Sequence, residues 1–242
     1  MGNDVSLEGK RVAALIPAAG SGRRMGGLLP KPFLRIGGRE ILARTLDVFE
    51  TCCVVDEVWV IVPDEHRVLC RQTVVERYGF QKVRGVVAGG ATRQESVWRG
   101  LQQVKDDVEL VVVHDGVRPF VSKALVQETL RYAALYGAAI AAVPLKDTLK
   151  RVSETGEVET TVPRDGLWRI QTPQAFQGHV LQAAFRHAWA QGIEATDEAG
   201  LIEAHGQQRV RIVLGMENNV KVTTPDDLLV CEGLLDNLDR DL

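Results

Sequence analysis

The stretch Ala13–Phe33, AALIPAAGSGRRMGGLLPKPF, sets the reading of the whole chain. An apolar run stops at Pro17, a glycine-rich bend follows, and then come Arg23, Arg24 and Lys31. A strand that reads as a continuous apolar run is covered on both faces, which predicts a largely parallel α/β sheet. Ligands of such sheets collect beyond the carboxyl ends of the strands, so this bend lies at the functional edge. The P-loop spacing is absent, and the dinucleotide pattern fails because Gly20-Ser21-Gly22 is followed by Arg23, Arg24 and Met25. What remains is either a glycine turn with solvated cations or a loop whose backbone N–H groups face phosphate oxygens while Arg23, Arg24 and Lys31 supply charge. Three cations suit a triphosphate better than a dinucleotide pyrophosphate.

Outward from this stretch, further apolar and β-branched runs alternate with helical spacing. Strands are predicted at Arg11–Ile16, Val58–Val62, Val83–Val87, Leu110–Val113, Ala138–Val143, Val210–Leu214 and Val220–Thr223. Helical spacing joins Ile41, Leu42, Thr45, Leu46 and Phe49, and later Val97, Leu101 and Val104. With no repeat and no low-complexity linker, residues 1–242 read as one domain. The polar stretch Lys146–Arg164, KDTLKRVSETGEVETTVPR, breaks the alternation and predicts a projecting hairpin. It is either a solvent-exposed excursion or a dimerisation arm, since a polar hairpin of this length needs something to lean on.

Composition narrows the partners. A formal net charge of −3 over 242 residues gives no electrostatic case for nucleic acid or membrane binding, so any anion site is local. Cys52, Cys53, Cys70 and Cys231 lack metal-ligand spacing and read as small hydrophobes of a reducing compartment. With no signal peptide and no apolar run long enough to span a bilayer, a cytoplasmic location is expected. Met1–Ser6 fits the N-myristoylation pattern, a match loose enough to arise by chance.

Four further segments carry chemistry-bearing residues. In VELVVVHDGVRPF, Asp115 stands where the chain leaves a buried strand, in a place suited to Mg²⁺ or to capping the turn, and Gly116 permits close approach of a ligand. His114 reads as a structural histidine rather than a base, and Arg118 as a local ion-pair partner or a tie for the loop. In AGGATRQESVWRG, Gly89, Gly90, Arg93 and Ser96 precede a helix, where small residues admit a flat ring and Ser96 is equally a cap. In NNVKVTTPDDL, Thr224, Pro225 and Asp227 mark a helix start that leaves Lys221 unexplained. Thr196-Asp197-Glu198-Ala199 likewise reads as a capped helix start, with acids favoured by the helix dipole.

Taken together, PAAGSGRRMG, PKPF, GGATRQESV, VHDGVRPF, KDTLKRV, VPRDGLWRIQTPQAF, TDEA and NNVKVTTPDDL resemble the 2-C-methyl-D-erythritol 4-phosphate cytidylyltransferase family, from Pro17 to Leu228. Related sugar nucleotidyltransferases share the first motif; TPQAF, TDEA and KVT-x-PDD together make the resemblance specific. It implies a Rossmann-like, mostly parallel mixed sheet with helices on both faces, a β-hairpin arm exchanged across a homodimer, and Mg²⁺-dependent transfer of CMP from CTP to a polyol phosphate. By the same resemblance, Pro17, Ala18, Ala19, Gly20, Gly22, Arg23 and Arg24 with Lys31 cradle the triphosphate. Gly90, Arg93 and Ser96 recognise cytosine and ribose, and Asp115 with Gly116 helps place Mg²⁺ and nucleotide. Lys221 with Thr196 meets the acceptor phosphate, and Thr148, Arg164 and Thr172 contact the acceptor, Arg164 from the partner subunit. The family's HDAARP is HDGVRP here, which is expected to loosen the loop at Gly116, and PKPF stands where PKQ is commoner. Ribitol-5-phosphate cytidylyltransferase shares the fold and chemistry and is the near alternative; a non-catalytic nucleotide-binding subunit is the alternative from another class.

Overall fold

The computed structural model describes residues 7–19 and 30–240. Arg23, Arg24, Gly20 and Gly22, named above as phosphate-binding, lie outside them, as does the Met1–Ser6 pattern. β1 (Val12–Pro17) leads, past a short 3₁₀ turn at Lys31–Phe33, to the small ladder β2 (Arg35–Ile36) and β3 (Arg39–Glu40) and then α1 (Ile41–Thr51). β4 (Glu57–Val62), α2 (Arg67–Cys70) with a π-type extension at Arg71–Glu76, β5 (Val83–Ala88), α3 (Arg93–Leu101) and β6 (Leu110–Val113) follow. The second half runs α4 (Lys123–Tyr136), β7 (Ala138–Pro144), β8 (Leu149–Val152), β9 (Val158–Val162), β10 (Trp168–Gln177), α5 (Gly178–Gln191), α6 (Glu198–His205), β11 (Arg211–Leu214) and α7 (Pro225–Arg240).

Seven strands form one sheet in the order β11-β7-β10-β6-β1-β4-β5. β1 pairs in parallel with both β4 and β6, β4 with β5, and β7 with β11; β10 alone runs antiparallel, between β6 and β7. Every residue of β1 is buried, and its alternation assigns the two faces of the sheet. Val12, Ala14 and Ile16 pack with Leu42 and Leu46 of α1 and Leu130 of α4, while Ala13 and Leu15 pack with Val97 of α3 and Leu181 of α5. The mixed sheet sandwiched by helices is the expected fold.

Two strand readings need correction. Val220–Thr223 forms no ladder; it is an extended segment pinned by single hydrogen bonds. β10, ten residues long and central, was not among the predicted strands, because Gln171, Thr172, Pro173 and Gln174 interrupt its apolar pattern. Its pairing with β7 shifts register between Ile170 and Gln174, so Pro173 falls where the ladder demands no donor. Val104 lies beyond the end of α3 but still packs into the core.

The predicted hairpin is present as β8 and β9, antiparallel and separate from the main sheet. It exposes Leu149, Val152 and Val158, and the adjoining strands expose Trp168, Ile170 and Leu214. Cys52, Cys70 and Cys231 lie in the core, where burial pushes the Cys70 thiol up to about 12 and Cys231 to about 11. Cys53 departs from the small-hydrophobe reading, since it is exposed.

Candidate active site at the carboxyl edge of the sheet

β1 and β6 end side by side, and their strand-end residues build the floor of the site. Gly116 N–H donates to the Pro17 carbonyl at 3.0 Å, and Ala18 N–H to Ile61 at 2.7 Å. A Cβ on Gly116 would stand 3.0 Å from that of Ala18, 3.1 Å from Leu42 Cδ1 and 3.3 Å from Ile16 Cγ2. The glycine therefore draws the two strand ends together, and the loosening expected from its missing methyl is corrected to a tighter seam. Ala19 follows half-buried at the same edge.

Asp115 projects from this floor into a ring of cations. Its Oδ2 lies 2.8 Å from Lys221 Nζ and 3.6 Å from Arg118 Nε, and its Oδ1 3.4 Å from Arg93 Nη2. Burial alone would push the carboxyl up, but Arg93, Lys221 and Arg118 outweigh it and hold the group well below the ordinary carboxylate range. Asp115 stays ionised throughout the neutral range.

His114, beside it, is fully buried and structural. Nε2 lies 3.1 Å from the Arg118 carbonyl, which only accepts, so this nitrogen carries the proton. Nδ1 then accepts from Thr172 Oγ1 at 2.9 Å, and the same hydroxyl accepts from Asp115 N–H at 3.1 Å. Burial pulls the imidazole down to about 4, leaving it neutral with both nitrogens engaged. The Thr172 hydroxyl is thereby engaged by both the Asp115 backbone and the His114 ring.

Lys221 arrives on a pinned strap. Arg118 Nη1 donates to the Asn219 carbonyl at 2.7 Å, Val222 N–H to Val117 at 2.9 Å, and Asn219 Nδ2 to Thr172 at 2.7 Å. Val222 is buried with Ile36 and Ile41, so the intervening Lys221 points the other way, to Asp115. Asp227, at the third position of α7, accepts from the N–H groups of Thr223 and Thr224 at 2.7 and 2.8 Å, the helix start read from the sequence. Lys31 joins the same strap, its Nζ donating to the Thr223 carbonyl at 3.2 Å.

On the other side of Asp115, Thr92 caps α3 through Glu95 N–H, which displaces Ser96 from the cap role. Ser96 instead accepts from Gly90 N–H at 3.0 Å and donates to the Thr92 carbonyl at 2.8 Å, fixing the bend before the helix. A Cβ on Gly90 would stand 2.6 Å from that of Glu95, so only glycine lets this bend close. Arg93, in the first turn, is gripped by Glu198 through two hydrogen bonds of 2.7 and 3.0 Å. Burial works against its charge, yet Glu198 and Asp115 hold the guanidinium firmly protonated. Thr196 is exposed and borders, with Arg93 and Trp98, an open cavity of about 560 Å³.

The fold thus brings Pro17, Ala18, Lys31, Gly90, Arg93, Ser96, Asp115, Gly116, Thr172 and Lys221 to one edge. Thr148 and Arg164 sit apart, exposed at the base of the arm, where Arg164 donates to the Lys146 carbonyl. Sequence reading missed the burial of Glu198, which it took for a dipole-favoured acid. The signal was available, because Glu198, Leu201 and Ile202 share one helical face and the latter two are apolar. It also missed Gln174, whose side chain fastens the start of α6 to β10.

Comparison with known proteins shows the family. The family described as IspD, 2-C-methyl-D-erythritol 4-phosphate cytidylyltransferase, matches residues 12–237. The enzyme of that name from Geotalea uraniireducens is 46% identical over 233 residues, covering 96% of this chain and 99% of that one. Its Geobacter metallireducens counterpart is 47% identical over 227 residues, covering 93% and 97%. The crystal structure of 4-diphosphocytidyl-2C-methyl-D-erythritol synthase from Anaerococcus prevotii superposes with a TM-score of 0.82 at 33% identity, covering 95% of this chain and 98% of that one. A family match across nearly the whole chain, carried by relatives of almost the same length, makes this protein a member of the IspD family of 2-C-methyl-D-erythritol 4-phosphate cytidylyltransferases.

Proposed function

We propose that the Asp115 cluster is where this chain carries out its family's reaction. As a cytidylyltransferase of isoprenoid precursor biosynthesis, it transfers CMP from CTP to 2-C-methyl-D-erythritol 4-phosphate, giving 4-diphosphocytidyl-2-C-methyl-D-erythritol and pyrophosphate. The observation that carries the assignment is convergence: Lys221 and Arg93 both meet Asp115, and Lys31 is tied to the strap that holds Lys221.

A phosphate oxygen of the acceptor attacks the α-phosphorus of CTP in line, and the bond to the pyrophosphate oxygen breaks. The nucleophile is already an anion, so no general base is needed, in keeping with a neutral and fully engaged His114. The barrier lies in joining two anions and holding the charge of five-coordinate phosphorus. Prepositioned cations lower it without reorganising during the reaction. In this reading Lys31 and Arg24 hold the triphosphate, while Lys221 and Thr196 receive the acceptor phosphate. Gly90, Arg93 and Ser96 face the nucleoside.

Mg²⁺ fits the donor set. Among the described residues no three His, Cys, Asp or Glu side chains form a self-sufficient metal cluster, and Mg²⁺ at nucleotide sites needs only one or two carboxylates besides phosphate oxygens. Asp115 offers that one carboxylate, its Oδ1 held more loosely by Arg93, at 3.4 Å, than its Oδ2 is by Lys221, at 2.8 Å. When bound, the ion neutralises phosphate oxygens as charge builds on them.

The same reading makes the chain a single catalytic domain whose arm, residues 146–164, pairs two copies and delivers Arg164 to the neighbour's acceptor pocket, with Thr148 a further acceptor contact. The exposed apolar residues of β8, β9 and β11 support that pairing. Free thiols throughout the described chain suit a cytoplasmic setting, and no helix among the described residues is long and apolar enough to cross a membrane.

Mass analysis of products, after incubation with CTP, Mg²⁺ and either 2-C-methyl-D-erythritol 4-phosphate or ribitol 5-phosphate, tests the reading. The cytidine diphosphate adduct of the methylerythritol, lost on chelation, is expected. A ribitol adduct alone would move the chain to the neighbouring specificity, and CTP binding without pyrophosphate release would make it a non-catalytic subunit.

A further inference from the structure

The steps above leave one buried carboxyl unused: burial pushes it up, and the charge and hydrogen bonds of Arg93 pull it back toward the carboxylate. Glu198 is 1% exposed and meets Arg93 with both carboxylate oxygens, at 2.7 and 3.0 Å. Its own position is fixed from two sides: Gln174 donates to Asp197 Oδ2 at 2.8 Å and accepts from Ala199 N–H at 3.2 Å, while Asp197 Oδ1 accepts from Gly200 N–H at 2.9 Å. The first turn of α6 is thereby clamped to β10, with Glu198 between the two clamp points.

We propose that Glu198 is a positioning residue for CMP transfer, orienting Arg93 so that this guanidinium touches Asp115 with a single nitrogen and leaves the other carboxylate oxygen to Lys221. The inference rests on the reading of the Asp115 cluster as the transfer site. Arginine forks pair bidentately with carboxylates whenever geometry permits. Arg93 lies between two carboxylates, and Nη2 is shared, 3.0 Å from Glu198 and 3.4 Å from Asp115. With the Glu198 charge removed, the fork turns to Asp115 and closes on it. Lys221 and the nucleotide's own cation then compete with a guanidinium for the same oxygens. Glu198 thus makes the TDEA and GGATRQES segments act as one device, with both of its oxygens taken by Arg93.

Truncation to alanine would strand a half-buried guanidinium and endanger the fold, so gentler changes are used. Four variants, Glu198→Gln, Glu198→Asp, Arg93→Met and the Glu198→Gln/Arg93→Met pair, are compared with wild type by pyrophosphate release at varied CTP, with melting curves alongside. Glu198→Gln is expected to lower kcat/KM for CTP by about tenfold, and to change the Arg93→Met background by less than about twofold. Glu198→Asp, which keeps the charge but withdraws it by one methylene, is expected to lose activity at a near wild-type melting temperature. This outcome stands even if the glutamine variant folds poorly. Wild-type kinetics in Glu198→Asp or in folded Glu198→Gln, or losses that simply multiply in the double variant, would overturn the proposal. A wild-type chain that releases no pyrophosphate would instead refute the transferase reading beneath it.

Discussion

Lys221 Nζ lies 2.8 Å from Asp115 Oδ2, joining the last motif of the chain to the end of β6. The pair gives each partner a reason for its place. Asp115 can be a buried anion because three cations surround it, and Lys221 is held over the cleft by the carboxylate and by the strap beneath it. In the proposed reaction, incoming phosphates would replace that carboxylate as the counter-charge for Lys221.

Lys31 is bound to the same strap through the Thr223 carbonyl. Its replacement by alanine is expected to lower turnover by about 10²-fold, the loss of about 3 kcal/mol of transition-state stabilisation. Steady-state pyrophosphate release checks this, and near-normal turnover would remove Lys31 from the mechanism.

His114 makes a pH signature. Its imidazole is pulled down to about 4 in the fold, against about 6.5 unfolded. Between those values the unfolded chain binds the extra proton, so stability is complete above pH ~6.5 and falls as pH drops toward 4. The loss is on the order of 3 kcal/mol at its limit, and Asp115 adds its own loss only at more acidic pH. Denaturant titrations across this range should show the slope in wild type and a flatter one in His114→Gln. Equal slopes would mean that the histidine is not held neutral.

Gly116 tests the seam between β1 and β6. Alanine there must push Ala18, Leu42 and Ile16 back by a few tenths of an ångström, which costs about 1 kcal/mol and lowers the melting temperature by about 3 °C. A rise in stability would show that the loop had been loose.

The arm is tested by mixing subunits. If Arg164 serves the neighbouring site, Arg164→Met and Lys221→Ala homodimers are both weak, while their mixed dimer keeps one intact site and regains about half the wild-type rate. A mixture no better than its parents would return Arg164 to its own subunit or out of the site.

Much of this was legible in the chain. Continuous apolar runs gave β1, β4, β6 and β7, because strands buried on both faces carry no polar interruption, whereas β5, at the sheet edge with Arg84 exposed, was read from its valines. β10 was illegible for the opposite reason: its central Gln171, Thr172 and Gln174 are polar side chains fully employed in anchoring the strap, His114 and α6. Local pattern cannot show such use. Lys221 stood out because nothing local explained it, whereas Glu198 was hidden by a local explanation that sufficed. A helix-start acid and a buried ion-pair partner look alike until the apolar face of the helix is counted.

The account turns on Lys221 acting as the cation of the acceptor phosphate. The most direct measurement is the single-turnover rate of Lys221→Ala with saturating CTP and varied 2-C-methyl-D-erythritol 4-phosphate. A rate about 10²-fold lower, with weakened acceptor dependence and retained CTP binding, is predicted; an unchanged rate would contradict the assignment of this edge of the sheet as the site of transfer.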